Sequence, residues 1–179
     1  LFDGTPDWWI RRGHRDPWPV VTVVVTTHEG ESADGHLRSD LPHQVVRIHP
    51  SDGPRRLQEI AARCADTGSL VHLLWSDTTI EDEEWPWEAM AHFELFPETV
   101  MIGGRIHDGR RIRTAGRYFG FGSGCDSPDR GRFVNDPGYF AQMWKQHSVS
   151  AVSIQHCVVR PQFLRGALEP LSAASVSLA

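Results

Sequence analysis

The sequence predicts an α/β fold, a mixed Rossmann-like sheet with flanking helices. Three observations carry this expectation. Short β-branched or apolar runs recur without a polar face, as strands covered on both sides require. Amphipathic helical patterns alternate with them. Gly- and Pro-rich turns punctuate the joins.

Residues 1–19 are rich in Trp, Arg, Pro and Gly and read as a leader. Residues 20–27 (VVTVVVTT) form the first strand candidate, bounded by Pro19 and Gly30. A polar, turn-rich stretch leads to a second strand at 44–49 (QVVRIH), which Pro50-Ser51-Asp52-Gly53 halts. Residues 54–66 carry Leu, Ile and Ala at helical spacing, with Pro54 suited to a first turn and Gly68 to the stop. A third strand follows at 70–75 (LVHLLW), then an acidic-fronted helix at 81–96. Residues 100–106 read as a strand around Gly103-Gly104, and 107–136 as loop. A short helix is expected at 137–146, a strand over 148–160 and a helix from 161 to 168. No internal repeat is seen.

The 179 residues suffice for one domain with a closed core. Composition, 40% hydrophobic and 23% charged, argues against wholesale disorder. A net charge of −5 without a basic block argues against a nucleic-acid partner, which would need concentrated positive charge. Lys145 is the only lysine. Coding bias and a preference for guanidinium forks on a diphosphate both account for that. Cys64, Cys125 and Cys157 are scattered and form no CxxC pair, which fits a reducing compartment. No apolar run approaches the ~18 residues of a membrane helix. A soluble cytoplasmic domain is expected, with peripheral contact to the inner face of the cell membrane left open.

Ligands of open α/β sheets gather beyond the carboxyl ends of the strands. The candidate strand ends carry Thr26-Thr27-His28-Glu29, Ser51-Asp52-Gly53 and Ser76-Asp77-Thr78. Taken alone, Asp77 reads more readily as a turn or helix cap. An Asp at such an edge also suits a divalent cation on a diphosphate.

The order of motifs adds to this. Residues 21–29 (VTVVVTTHE), the helix pattern from Gly53 to Gly68, 70–77 (LVHLLWSD) and 102–106 (IGGRI) follow one another. Further on come Gly109-Arg110-Arg111-Ile112, Thr114-Ala115-Gly116, Gly120-Phe121-Gly122, Gly131-Arg132, 136–140 (DPGYF) and 148–152 (SVSAV). This series, from about Val20 to Leu168, resembles the family 2 glycosyltransferases of the GT-A fold. It is most similar to the bacterial subgroup that builds rhamnose-containing and O-antigen-like polysaccharides.

The resemblance implies a GT-A domain over 20–169, with 170–179 as a tail. It implies transfer of a sugar from a nucleotide-diphosphate donor to a cell-surface glycan or lipid-linked acceptor, with inversion. Asp77 matches the last carboxylate of the Asp-x-Asp motif, the ligand of Mg²⁺ or Mn²⁺. Trp75 stands where the first Asp faces the donor ribose, with Ser76 between them. Thr27, His28 and Glu29 match the end of the first strand in the nucleotide pocket, and Asp52 is a further donor-side candidate. Residues 158–169 (VVRPQFLRGALE) match the segment before the general base, which makes Glu169 the candidate. The Gly-Gly and double acid of that segment are absent. About a dozen polar residues separate the first two strands, where relatives carry a helix and another strand. Ile154-Gln155-His156 stands where relatives carry small residues behind the donor site. The alternative is a catalytically silent glycosyltransferase-like module that binds or scaffolds.

The ten histidines show no ligand pair at helical spacing. Trp8, Trp9 and Trp18 are expected to pack the leader, with a sugar-stacking platform or a membrane foot as alternatives. Gly120–Gly124 (GFGSG) is not a dinucleotide loop, since no helix follows it. Arg105, Arg117, Arg130 and Arg132 are phosphate candidates, though most read as solvated surface charge.

Overall fold

The register of three parallel strands organises the first half of the chain. In a computed structural model, which describes residues 20–25, 43–81, 85–122 and 124–173, β1 (Val20–Val25) pairs in parallel with β2 (His43–Ile48) and with β3 (Leu70–Trp75). The sheet continues through β9 (His156–Val159) to β4 (Met101–Gly103), in the order β2-β1-β3-β9-β4. Gly104 N–H donates to the His156 carbonyl and Arg160 N–H to that of Val100. As the residue number rises on one strand it falls on the other, so β4 and β9 run antiparallel. The sheet is mixed, as the alternation of patterns predicts.

Three helices accompany it: α1 (Gly53–Thr67), α2 (Trp85–Leu95) and α3 (Pro161–Ala173). On β3 the first five residues are all buried. Its even-numbered side chains face α2: Val20, Leu70, Ala89, Met90, Phe93 and Val158 form one cluster, with Trp85 and Ile102 against it. His72 belongs to this face. It is fully buried, lies 3.2 Å from the Thr22 hydroxyl and stacks on Trp85 with ring centroids 4.0 Å apart. Alternation assigns Val71, Leu73 and Trp75 to the opposite side. There α1 contributes Leu57, Ile60, Ala61 and Cys64, spaced three or four apart, and packs against α3. Leu164 and Leu168 are the buried face of α3.

The helix ends follow from local chemistry. Gly68, at φ +70°, closes α1: its N–H donates to the Ala65 carbonyl and that of Ser69 to the Cys64 carbonyl. At the end of α2, the Arg160 guanidinium donates to the carbonyls of Phe93 (3.1 Å) and Thr99 (2.8 Å) and lies over the Phe93 ring.

The chain divides into two compact units. One comprises residues up to Ile102 together with Val158 onward; the other is Gly103–Cys157. The second unit corrects several expectations. The strand around Gly103-Gly104 stops at Gly103 and resumes as β5 (Ile106–His107), which pairs antiparallel with β6 (Ile112–Thr114). Residues 107–136 are therefore not all loop, and β7 (Tyr118–Phe119) and β8 (Cys125–Asp126) form a second ribbon. The strand expected over 148–160 is confined to β9. Upstream, only Ala151 makes a bridge, to Arg117. Alternation of small residues there reports packing rather than a continuous ladder. The helix expected at 137–146 is a 3-10 segment, Tyr139–Trp144, with Phe140 and Ala141 at φ +49° and +58°. The leader, with Trp8, Trp9 and Trp18, and the tail beyond 173 lie outside the described residues.

Gly68→Ala tests the helix stop. The site has open space for a Cβ, so the effect is that of backbone strain alone. Chemical denaturation should show a loss of ~1 kcal/mol with an unchanged m-value.

Candidate functional site

The in-register pairing brings three strand ends level. Val25 is paired with both Ile48 and Trp75, so the carboxyl ends of β2, β1 and β3 form one edge. The chain runs from β1 to β2 on one side, then returns through α1 to β3 on the other. The gap between the ends of β1 and β3 is thus a topological switch point, where open α/β sheets bind ligands.

Trp75, Ser76 and Asp77 occupy that point. Ser76 is buried and its N–H donates to the Val25 carbonyl at 3.0 Å, extending the ladder by one residue. Thr78 N–H then donates to the Trp75 carbonyl at 3.0 Å, closing a turn with Asp77 exposed at its crest. The Thr78 hydroxyl donates to Asp77 Oδ1 at 3.3 Å. Trp75 Nε1 is buried and has no hydrogen-bond partner among the described residues. A buried donor left unsatisfied costs about 1–3 kcal/mol, so an acceptor arriving with a ligand has something to gain there.

Asp52 lies beyond the end of β2 on the same edge. Its carboxylate accepts the His49 N–H at 2.7 Å, while the Ser51 hydroxyl lies 2.6 Å from His49 Nδ1. One oxygen of Asp52 therefore holds the turn from which α1 starts. Thr27, His28 and Glu29 fall outside the described residues. The last described residue before them, Val25, stands between Ile48 and Trp75. Glu169 is on another element, the exposed side of α3, ~12 Å along the helix from Pro161.

Comparisons with family models, with curated proteins and with solved structures returned no match.

A divalent cation held jointly with a diphosphate needs one or two carboxylates, the phosphate oxygens and water. Asp77, exposed and with Oδ1 engaged by a single hydroxyl, fits that one-carboxylate mode. Among the described residues no group of three or more His, Cys, Asp or Glu is arranged to hold a metal.

In the Gly103–Cys157 unit, close packing accounts for the Gly-Gly of IGGRI. A Cβ on Gly103 would stand 2.5 Å from Val152 Cβ, and one on Gly104 would stand 2.5 Å from the His156 ring. The bulk of His156 therefore sits against a glycine. Burial pushes the pKa of His156 down to about 4. The sequence signals that pair these residues, two adjacent glycines and a histidine some fifty residues on, have no local connection.

The titration of His156 has a defined sign. Between its unfolded value, ~6.5, and about 4, the unfolded chain binds a proton that the folded chain does not. Stability therefore falls as pH drops through that window, by at most ~3 kcal/mol from this residue. Denaturant midpoints at pH 7.5 and 4.5, compared between wild type and His156→Gln, should show a smaller acid loss in the variant.

Proposed function

We propose that the chain is a glycosyltransferase. It would move a sugar from a nucleotide-diphosphate donor to a cell-surface glycan or glycolipid, with Mg²⁺ or Mn²⁺ and with inversion. The observation that carries the reading is the level edge of β2, β1 and β3, with Asp77 exposed and the Trp75 N–H unsatisfied at its switch point. The order of motifs that resembles family 2 glycosyltransferases of the GT-A fold supports it independently. The start of α1 at the same edge adds partial positive charge, which favours phosphate oxygens.

In this reading Asp77 would hold the cation. The cation, when bound, supplies Lewis-acid neutralisation of the departing nucleoside diphosphate. The Trp75 indole N–H donates to a donor oxygen, in place of the carboxylate that the family directs at the ribose. The level strand ends fix these groups relative to one another, which limits the reorganisation needed on binding. Glu169 is the carboxylate proposed to take the proton from the attacking acceptor hydroxyl.

A second reading, a catalytically silent module that binds nucleotide sugar or scaffolds an assembly, draws on a specific feature. One carboxylate of the motif is replaced by Trp75, and the proposed base lies on an exposed helix face.

Calorimetry with UDP-, dTDP- and GDP-sugars in the presence of Mn²⁺ tests the reading. Binding to one donor is expected, weakened at least ~10-fold by Asp77→Ala, as loss of a charged contact implies. No binding of any donor would overturn it. Metal-dependent donor hydrolysis lost in Asp77→Ala distinguishes the enzyme from the silent module.

Trp75→Phe separates structure from binding. It deletes an unsatisfied N–H, so stability should stay within ~1 kcal/mol while donor affinity falls ~10-fold. Equal affinity in the two proteins would remove Trp75 from the donor site.

A further inference from the structure

Charge and exposed aromatic surface are both concentrated in the Gly103–Cys157 unit. It contains eight Lys/Arg and four Asp, a net charge of +4 within a chain whose total is −5. Every one of those aspartates is ion-paired inside the unit: Asp108 with Arg113, Asp126 with Arg130, and Asp129 and Asp136 with Arg132. Arg105, Arg110, Arg111, Arg117 and Lys145 stand beyond those pairs. Asp126 also feels the charge of Arg117, so the unit's carboxylates offset only part of its cationic charge.

The same unit holds six strongly exposed aromatic residues. Phe119 (72% exposed) and Phe121 flank Gly120 at the turn of the β7–β8 ribbon. Tyr139 (71%), Phe140 (80%) and Trp144 (66%) crowd the 3-10 segment, with the Tyr139 and Phe140 rings edge to face at 4.5 Å. Phe133 carries the Arg111 guanidinium 4.5 Å above its ring. Phe140 and Ala141 hold left-handed backbone conformations, and built contacts keep them there. Asp136 accepts the Gly138 N–H, the buried Asp129 accepts from Gln142, and Arg105 donates to the Val134 and Met143 carbonyls. Aromatic side chains are thus presented to solvent on a fixed backbone.

We infer that the Gly103–Cys157 unit docks on an anionic lipid surface, its exposed Phe, Tyr and Trp side chains entering the interface and its excess of cationic charge meeting the headgroups. Apolar and aromatic side chains beside excess cationic charge are the chemistry of peripheral membrane contact. A single-stranded nucleic acid would instead use aromatics laid along a groove that tracks the backbone. Here the exposed rings are divided between the β7–β8 ribbon, the 3-10 segment and the Arg111–Phe133 bridge. Trp8, Trp9 and Trp18, for which a membrane foot is one alternative to packing the leader, lie outside the described residues, and the exposed rings here are a different set. The inference is independent of the proposed transfer activity.

Co-sedimentation of the full chain with vesicles is the test, using phosphatidylcholine alone or mixed equally with phosphatidylglycerol. Binding to the mixed vesicles at ~0.1 M salt should exceed binding to the neutral ones at least ~10-fold and should weaken at ~1 M salt. Two variants, F119S/F121S and Y139S/F140S/W144S, should each lower partitioning ~10-fold with unchanged circular dichroism. R110Q/R117Q/K145Q should remove the preference for anionic vesicles. The inference is overturned if the protein stays in the supernatant with anionic vesicles, or if the variants sediment like wild type. Displacement from vesicles by an oligo(dT) strand, or concentration-dependent dimers lost in the aromatic variants, would also overturn it, in favour of nucleic acid or a second copy of the chain.

Discussion

The pairing of β1 with two parallel neighbours in one register is the constraint on which the candidate site depends. Val25 is opposite both Ile48 and Trp75, so three strands end at one level. A slip of one residue would turn every side chain of β1 to the other face. Thr22 would then leave His72, and Val20 would leave the cluster around Phe93. Burial on both faces thus sets the register, and the register sets where Trp75, Ser76 and Asp77 emerge. A packing requirement in the core determines the geometry of polar groups at the edge.

The Gly103–Cys157 unit is held by other means. Its strands are two or three residues long and its buried apolar set is small, with Ile112 and Met143 the large members. Carboxylates tie down its turns. Asp108 accepts the N–H groups of Arg110 and Arg111, and Asp126 accepts that of Ser127. These bonds, with neighbouring arginines, hold the Asp108, Asp126 and Asp136 carboxyls below their usual range. Asp129 is buried while paired with Arg132 and bonded by Gln142. A unit built on turns and ion pairs can keep aromatic groups at its surface, since its own stability does not require them inside.

Legibility in the sequence follows the range of the interactions. Leu70–Trp75 coincides with its strand because six covered residues between polar turns leave no other period. Gly68 marks the end of α1 because the left-handed conformation there is a local need. Asp77 is legible as a polar residue that follows a buried strand, and Asp52 as part of the turn that halts β2. The 148–160 stretch misled because its alternation imitates a strand, while only His156–Val159 has a partner in the sheet. The orphaned Trp75 N–H left no sequence signal, since an indole is read as apolar until its surroundings are known.

The sequence by itself determined the class of fold, the strands of the core and the polar residues at their ends, because periodicity and turn chemistry act within a few residues. Only the tertiary structure decided that β1 lies between β2 and β3, which puts Asp77 at a switch point. It also decided that Gly104 must admit the His156 ring, and that Phe140 and its neighbours face solvent. Each of these depends on contacts between residues that are distant along the chain, and no local pattern encodes such a contact.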